Sequence, residues 1–124
     1  MLVTSRSVIL VDDDADFISE MTEYLERLRI RSLVFHSAED AIHSIINDPD
    51  AIVCMDLDLP GYGGGRLLDL VLGVNPKQIF FVISGLDEIE AELSQNRNSP
   101  LAIFCKPLDI EKFEVCLKAY LNRK

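Results

Sequence analysis

Five short apolar runs punctuate the chain at wide intervals: Val8 to Val11, Ser32 to Phe35, Ala51 to Met55, Ile79 to Ile83 and Leu101 to Cys105. They lack the apolar-polar alternation of a strand with one wet face. Runs so rich in Val, Ile and Phe therefore predict strands buried on both faces, the condition of a parallel sheet. Parallel neighbours cannot be joined by a tight turn, and each junction needs a crossover long enough to hold a helix.

The stretches between the runs meet that demand. Phe17, Met21, Tyr24, Leu25 and Leu28 recur at steps of three and four, with Glu20, Glu23, Glu26 and Arg27 between them, which predicts a helix over 15–28. Ser37 followed by Asp40 resembles a capping box ahead of Ala41, Ile42, Ile45 and Ile46, and Pro49 closes that helix. Leu67, Leu68, Val71 and Leu72 mark a helix entered through Gly63, Gly64 and Gly65. Ile110, Phe113, Leu117, Tyr120 and Leu121 mark the last one. Residues 86–95 offer only Leu86, Ile89 and Leu93 among several acids, so a helix there has a thin stripe to bury and is expected to be the least firmly packed. Strand and helix alternating five times imply right-handed crossovers and an α/β fold. The expectation is a doubly wound, five-stranded parallel sheet in flavodoxin-like order 2-1-3-4-5, with helices on both faces.

Size and composition agree with one such domain spanning residues 1–124. A hydrophobic fraction of 48% with 27% charged residues is more apolar than a disordered acidic tail. With 21 Asp and Glu against 12 Lys and Arg, the net charge of −9 argues against direct binding to nucleic acid or to an anionic membrane. Neither a secretory leader nor an apolar run long enough to span a bilayer is evident, so a cytoplasmic location is expected. The three cysteines form no C-x-x-C pair, and Cys54 and Cys105 lie inside apolar runs, which predicts reduced thiols in or near the core. His36 and His43 lack the partners of a zinc site.

The acids are not spread evenly. In an open parallel sheet, ligands bind beyond the carboxyl ends of the strands where the order reverses, here between the first and third strands. The first strand runs into Asp12, Asp13 and Asp14, and the third into Asp56 and Asp58. One helix cap accounts for Asp14 or Asp16, but Asp12 and Asp13 stand at the strand end itself. Carboxylates crowded there repel one another, and a hard divalent cation removes the repulsion. Oxygen-only ligands suit Mg2+, or Mn2+, better than zinc. The fourth strand ends at Ser84-Gly85 and the fifth at Lys106-Pro107, which brings a hydroxyl and an ammonium to the same edge. A cation, a hydroxyl, an ammonium and a nucleophilic carboxylate make a set suited to phosphoryl transfer.

Val-Asp-Asp-Asp after the first strand, Met-Asp-Leu-Asp-Leu-Pro-Gly after the third, Ser84-Gly85 and Lys106-Pro107, in this order over the whole chain, resemble the receiver domain of two-component response regulators. The resemblance implies that Asp56 is the phosphoacceptor for a sensor histidine kinase or phosphotransfer protein. Asp13 and Asp56 would ligate the metal directly, Asp12 mainly through water and Asp58 through its backbone carbonyl. It further implies that Lys106 binds the phosphoryl oxygens, that Ser84 swings inward to meet one of them, that Gly85 leaves room for it, and that the bond before Pro107 is cis. Output would pass through the helix at 86–95, the fifth strand and the last helix to a downstream protein or an attached output domain. Pairing of two copies through that face is compatible with the family. Activity would be limited to phosphorylation and dephosphorylation of the domain's own aspartate.

Two positions depart from the family pattern. Ile103 stands where an aromatic ring commonly turns inward, which leaves the read-out to packing shifts or to Phe104. Gly63 replaces an acid, so the loop after Pro60 is expected to be pliable. Two other readings compete. Asp56-Leu57-Asp58 resembles the D-x-D motif of haloacid-dehalogenase-like phosphohydrolases, although there the nucleophile follows the first strand and the acidic pair comes last. A degenerate receiver acting only as a docking module is the third reading.

Overall fold

The computed structural model describes residues 6–61, 63–87, 89 and 100–122. Its elements run β1 (Val8–Val11), α1 (Ala15–Arg27), β2 (Ser32–Phe35), α2 (Ala38–Ile46), β3 (Ile52–Met55), α3 (Gly64–Val74), β4 (Ile79–Ser84), β5 (Ala102–Cys105) and α4 (Ile110–Leu121). The helix expected over 86–95 lies largely outside the described residues.

Each strand pairs in parallel with its neighbours, in the order β2-β1-β3-β4-β5. The period of two along each strand divides the interior into two cores. On one face Ile9, Val11, Val53, Met55, Phe80 and Val82 meet Ala41 and Ile45 of α2 and Leu67, Leu68 and Val71 of α3. On the other, Val8, Leu10, Ile52, Cys54, Phe81 and Ile83 meet Ile18, Met21 and Leu25 of α1 and Phe113, Leu117 and Leu121 of α4. Phe81, Phe104 and Phe113 contact one another edge to face at centroid separations of 5.5 to 6.1 Å. Such pairs hold α4 against β4 and β5 with more specificity than area burial alone supplies.

β1, β3 and β4 are buried at every position, as runs without alternation require. The expectation of burial on both faces fails at the two edges, where Leu33 of β2 is 44% exposed and Ile103 of β5 is 48% exposed. An edge strand has a neighbour on one side only, and the described helices do not cover both of its faces. Cys105 corrects the sequence reading for the same reason. It is exposed on β5, whereas Cys54, on a central strand, is buried. Phe104 faces the α1/α4 core and Ile103 faces the other way.

Side-chain caps set where three helices begin. Asp14 accepts from the Asp16 and Phe17 amides at the start of α1, Ser37 from the Asp40 amide at α2, and Asp109 from the Glu111 and Lys112 amides at α4. The start of α3 instead uses glycine. Gly63 takes φ of 84°, and the Gly64 amide donates to the Leu57 carbonyl at 3.1 Å.

Candidate functional site

Register carries the acids together. Val11 of β1 is paired with Met55 of β3, so the residues that follow, Asp12 and Asp56, leave neighbouring strands at the same level; the Asp56 amide still donates to the Val11 carbonyl at 3.0 Å. Ser84 closes β4 beside Cys105 of β5, and the Lys106 amide donates to the Ser84 carbonyl at 2.9 Å. Four chain segments distant in sequence thus deliver their side chains to one carboxyl-end edge. The Lys106-Pro107 peptide bond is cis.

Asp56 is the hub. Its Oδ1 accepts from the Ser84 hydroxyl at 2.6 Å and from the Asp58 amide at 3.0 Å, and its Oδ2 accepts from the Lys106 ammonium at 2.9 Å. Lys106 Nζ also donates to Asp12 Oδ2 at 2.9 Å, and the other oxygen of Asp12 accepts from the Asp14 amide at 2.9 Å. Asp12 and Asp56 are buried, while Asp13 is exposed at the rim. One carboxylate oxygen from each of the three can be chosen so that all lie within 4.8 Å of one another. The Asp58 carboxylate is exposed and stands outside this trio. Ser84 is fully buried and already turned inward onto Asp56, rather than held away to swing in later.

The electrostatics are those of too many acids around one base. Burial holds the Asp12 carboxyl above its ordinary value, against the pull of the Asp14 amide and the Lys106 ammonium, and the neighbouring Asp56 charge pushes the same way as burial. Burial acts to lower the Lys106 value, but its hydrogen bonds and attraction to both carboxylates outweigh that and raise it, so the ammonium stays charged. Three carboxylates facing one ammonium leave the site short of positive charge.

Gly64 sits against this machinery from the other side. A Cβ there would lie 2.4 Å from the Asp56 carbonyl oxygen and 2.7 Å from the Leu57 Cα, so only glycine lets α3 start so close to the acid's backbone. Next to the pocket, between α1 and the segment after β5, opens a groove of about 770 Å³ lined by apolar Phe17, Met21, Tyr24 and Leu108 and rimmed by acids of α1. Phe17 is the residue the sequence reading missed. Periodicity assigns it only to the apolar stripe of α1, yet the Lys106 Nζ lies over its ring, 4.6 Å from the centroid. Its place one turn past Asp13, at the end of the helix nearest the acids, is the signal that was available.

No protein-family model matches the chain. Among curated proteins it is 24% identical, over all 124 residues, to the phosphoglycerate transport system transcriptional regulatory protein PgtA of Salmonella typhimurium, and it spans 30% of that protein's length. Among solved structures it resembles the signal receiver domain of an HD domain-containing protein from Pseudomonas fluorescens Pf-5, with a TM-score of 0.83 at 17% identity over 98% of this chain and 90% of that one. It also resembles a response regulator receiver domain protein from Clostridium thermocellum, with a TM-score of 0.82 at 16% identity over 95% of each chain. The BeF3-activated DrrB receiver domain gives 0.79 at 23% identity over 95% of this chain and 98% of that one. The fold is that of response regulator receiver domains.

Proposed function

We propose that this chain is a single receiver domain working as a phosphorylation-dependent switch in two-component signalling, with Asp56 as its phosphoacceptor. One observation carries the reading. A buried carboxylate, reachable at the sheet edge, is held by a hydroxyl at 2.6 Å and an ammonium at 2.9 Å, beside two further acids. An Asp56 oxygen attacks the phosphorus of a phosphohistidine on a sensor kinase or phosphotransfer protein; the P–O bond forms as the P–N bond breaks, and the imidazole leaves. Lys106 and Ser84, already directed at Asp56, donate to the phosphoryl oxygens as charge builds on them. The apolar, acid-rimmed groove along α1 leaves room for the partner that brings the histidine.

The donor set fits a hard divalent cation. Asp12, Asp13 and Asp56 offer one oxygen each within 4.8 Å, with no His or Cys in the group, and the Asp58 backbone carbonyl is the further ligand the family pattern supplies. When bound, Mg2+ or Mn2+ offsets the carboxylate charge and neutralises the transferring phosphoryl group. The phosphohydrolase reading is disfavoured by order, since the Asp56-Leu57-Asp58 motif follows β3 rather than β1. A docking-only receiver would not require Asp56, Ser84 and Lys106 to be joined by hydrogen bonds. Output is assigned to the face that carries β5 and α4, acting on a partner or on an attached domain; the helix expected over 86–95, part of the same assignment, lies largely outside the described residues. No helix among the described residues is long and apolar enough to cross a membrane.

Incubation with acetyl phosphate and Mg2+, followed by intact-mass measurement, tests the assignment. One phosphoryl adduct is expected, absent when Mg2+ is chelated and absent from Asp56→Asn. An unmodified wild type, or an adduct on Asp56→Asn, would sink it.

A further inference from the structure

The ammonium of Lys106 has three N–H donors, and two are directed at Asp12 Oδ2 and Asp56 Oδ2, each at 2.9 Å. A third side of the same nitrogen faces the Phe17 ring at 4.6 Å from its centroid, within the range where a ring face attracts a cation. The Lys106 side chain keeps 24% exposure, so without a neighbour on that side water would compete for the remaining donor. Phe17 is itself held. Its amide donates to the Asp14 side chain that caps α1, and its ring packs at the border of the α1/α4 core. The ring is therefore fixed by its own helix, independently of the lysine it faces.

From this geometry we infer that Phe17 is a positioning residue for phosphoryl transfer, its ring face keeping the Lys106 ammonium aimed into the pocket. The inference rests on the function proposed above. Its physical content is that Asp12 and Asp56 are shared anchors. Both would also hold a cation, and Asp56 would take the phosphoryl group, so the two acceptors of Lys106 are shared with both. The ring is claimed by neither, and it remains to hold the ammonium at the phosphoryl oxygens. Leucine at position 17 would fill much of the same space without presenting a π face, whereas tyrosine would preserve the face.

Two readings on Phe17→Leu and Phe17→Tyr decide the matter. In the metal-free protein, ring-current displacement of the Lys106 ε-methylene proton signals by NMR is expected in the wild type and in Phe17→Tyr and lost in Phe17→Leu. With acetyl phosphate as donor, the phosphorylation rate constant of Phe17→Leu is expected to fall about 5- to 10-fold and that of Phe17→Tyr to stay within about twofold. Mg2+ affinity is expected to be unchanged in both variants. Undisplaced lysine signals in the wild type overturn the inference, as does a wild-type rate in Phe17→Leu. Equal slowing in both variants overturns it too, because loss of packing then explains the effect. A wild type that shows the displaced signals yet takes up no phosphoryl group overturns the function itself, and the role of Phe17 with it.

Discussion

At Gly64 the first turn of α3 lies against the backbone that carries Asp56, with a built Cβ only 2.4 Å from the Asp56 carbonyl oxygen and 2.7 Å from the Leu57 Cα. Both obstacles are backbone, so neither can rotate away. Gly64→Ala is expected to cost about 1 to 3 kcal/mol in denaturant unfolding and to shift Asp56 with it. Gly73, in the last turn of the same helix, is exposed and has nothing within 4 Å of its built Cβ. There the glycine only loosens the unfolded chain, and Gly73→Ala is expected to gain about 0.5 to 1 kcal/mol. Two glycines in one helix thus carry opposite signs. The sequence marks Gly64 only as part of the helix entry, and the approach of the backbone that follows β3 is what sets it apart from Gly73. The same holds for Phe17, whose ring faces a lysine 89 positions away, and for Cys105, exposed although its run reads like that of Cys54.

Among the elements, α1 and α4 are joined across the α1/α4 core by a polar contact as well as an apolar one. The Tyr24 hydroxyl donates to Glu114 Oε1 at 2.6 Å, and Lys118 reaches the other oxygen of that carboxylate at 3.2 Å. Burial first, then the bond to Glu114 and its charge, raise the Tyr24 hydroxyl above its ordinary value of 10.0. The bond from Tyr24, then that from Lys118, hold Glu114 below its ordinary value of 4.5. A lowered acid contributes stability above 4.5 that is lost as pH falls through its folded value. A raised tyrosine contributes stability that is complete below 10.0 and is lost as pH rises through its folded value. The link is therefore fully formed between those limits. Tyr24→Phe is expected to lower the denaturation midpoint at pH 7 with an unchanged slope, and the gap to the wild type should narrow below pH 4.5 and above pH 10. A gap of constant size from pH 3 to 11 would mean that packing, not this bond, was disturbed.

Across the whole molecule, 21 acids against 12 bases give a net charge of −9, and the sheet's carboxyl edge gathers Asp12, Asp13 and Asp56 with one oxygen of each within 4.8 Å of the others. A divalent cation binding there stabilises the folded chain by mass action, about 2.7 kcal/mol at a hundred times its dissociation constant. Thermal unfolding with added MgCl2 is expected to shift upward by several degrees, and the shift should vanish in Asp13→Ala. An equal shift from NaCl at matched ionic strength would point to general screening instead. The sheet, its order and the strand ends that bear Asp12, Asp56, Ser84 and Lys106 were legible in the sequence, because burial on both faces leaves uninterrupted apolar runs and because side chains at the ends of parallel strands share one edge. What only tertiary structure decided are the contacts between elements: Ser84 already seated on Asp56, Lys106 divided between two acids and a ring, Ile103 and Phe104 facing opposite ways, and edge strands left half open. Periodicity along a chain records how often a residue meets the core, not which neighbour from another element it meets there. That is set by register and by where each helix starts, and both are resolved only when the layers pack.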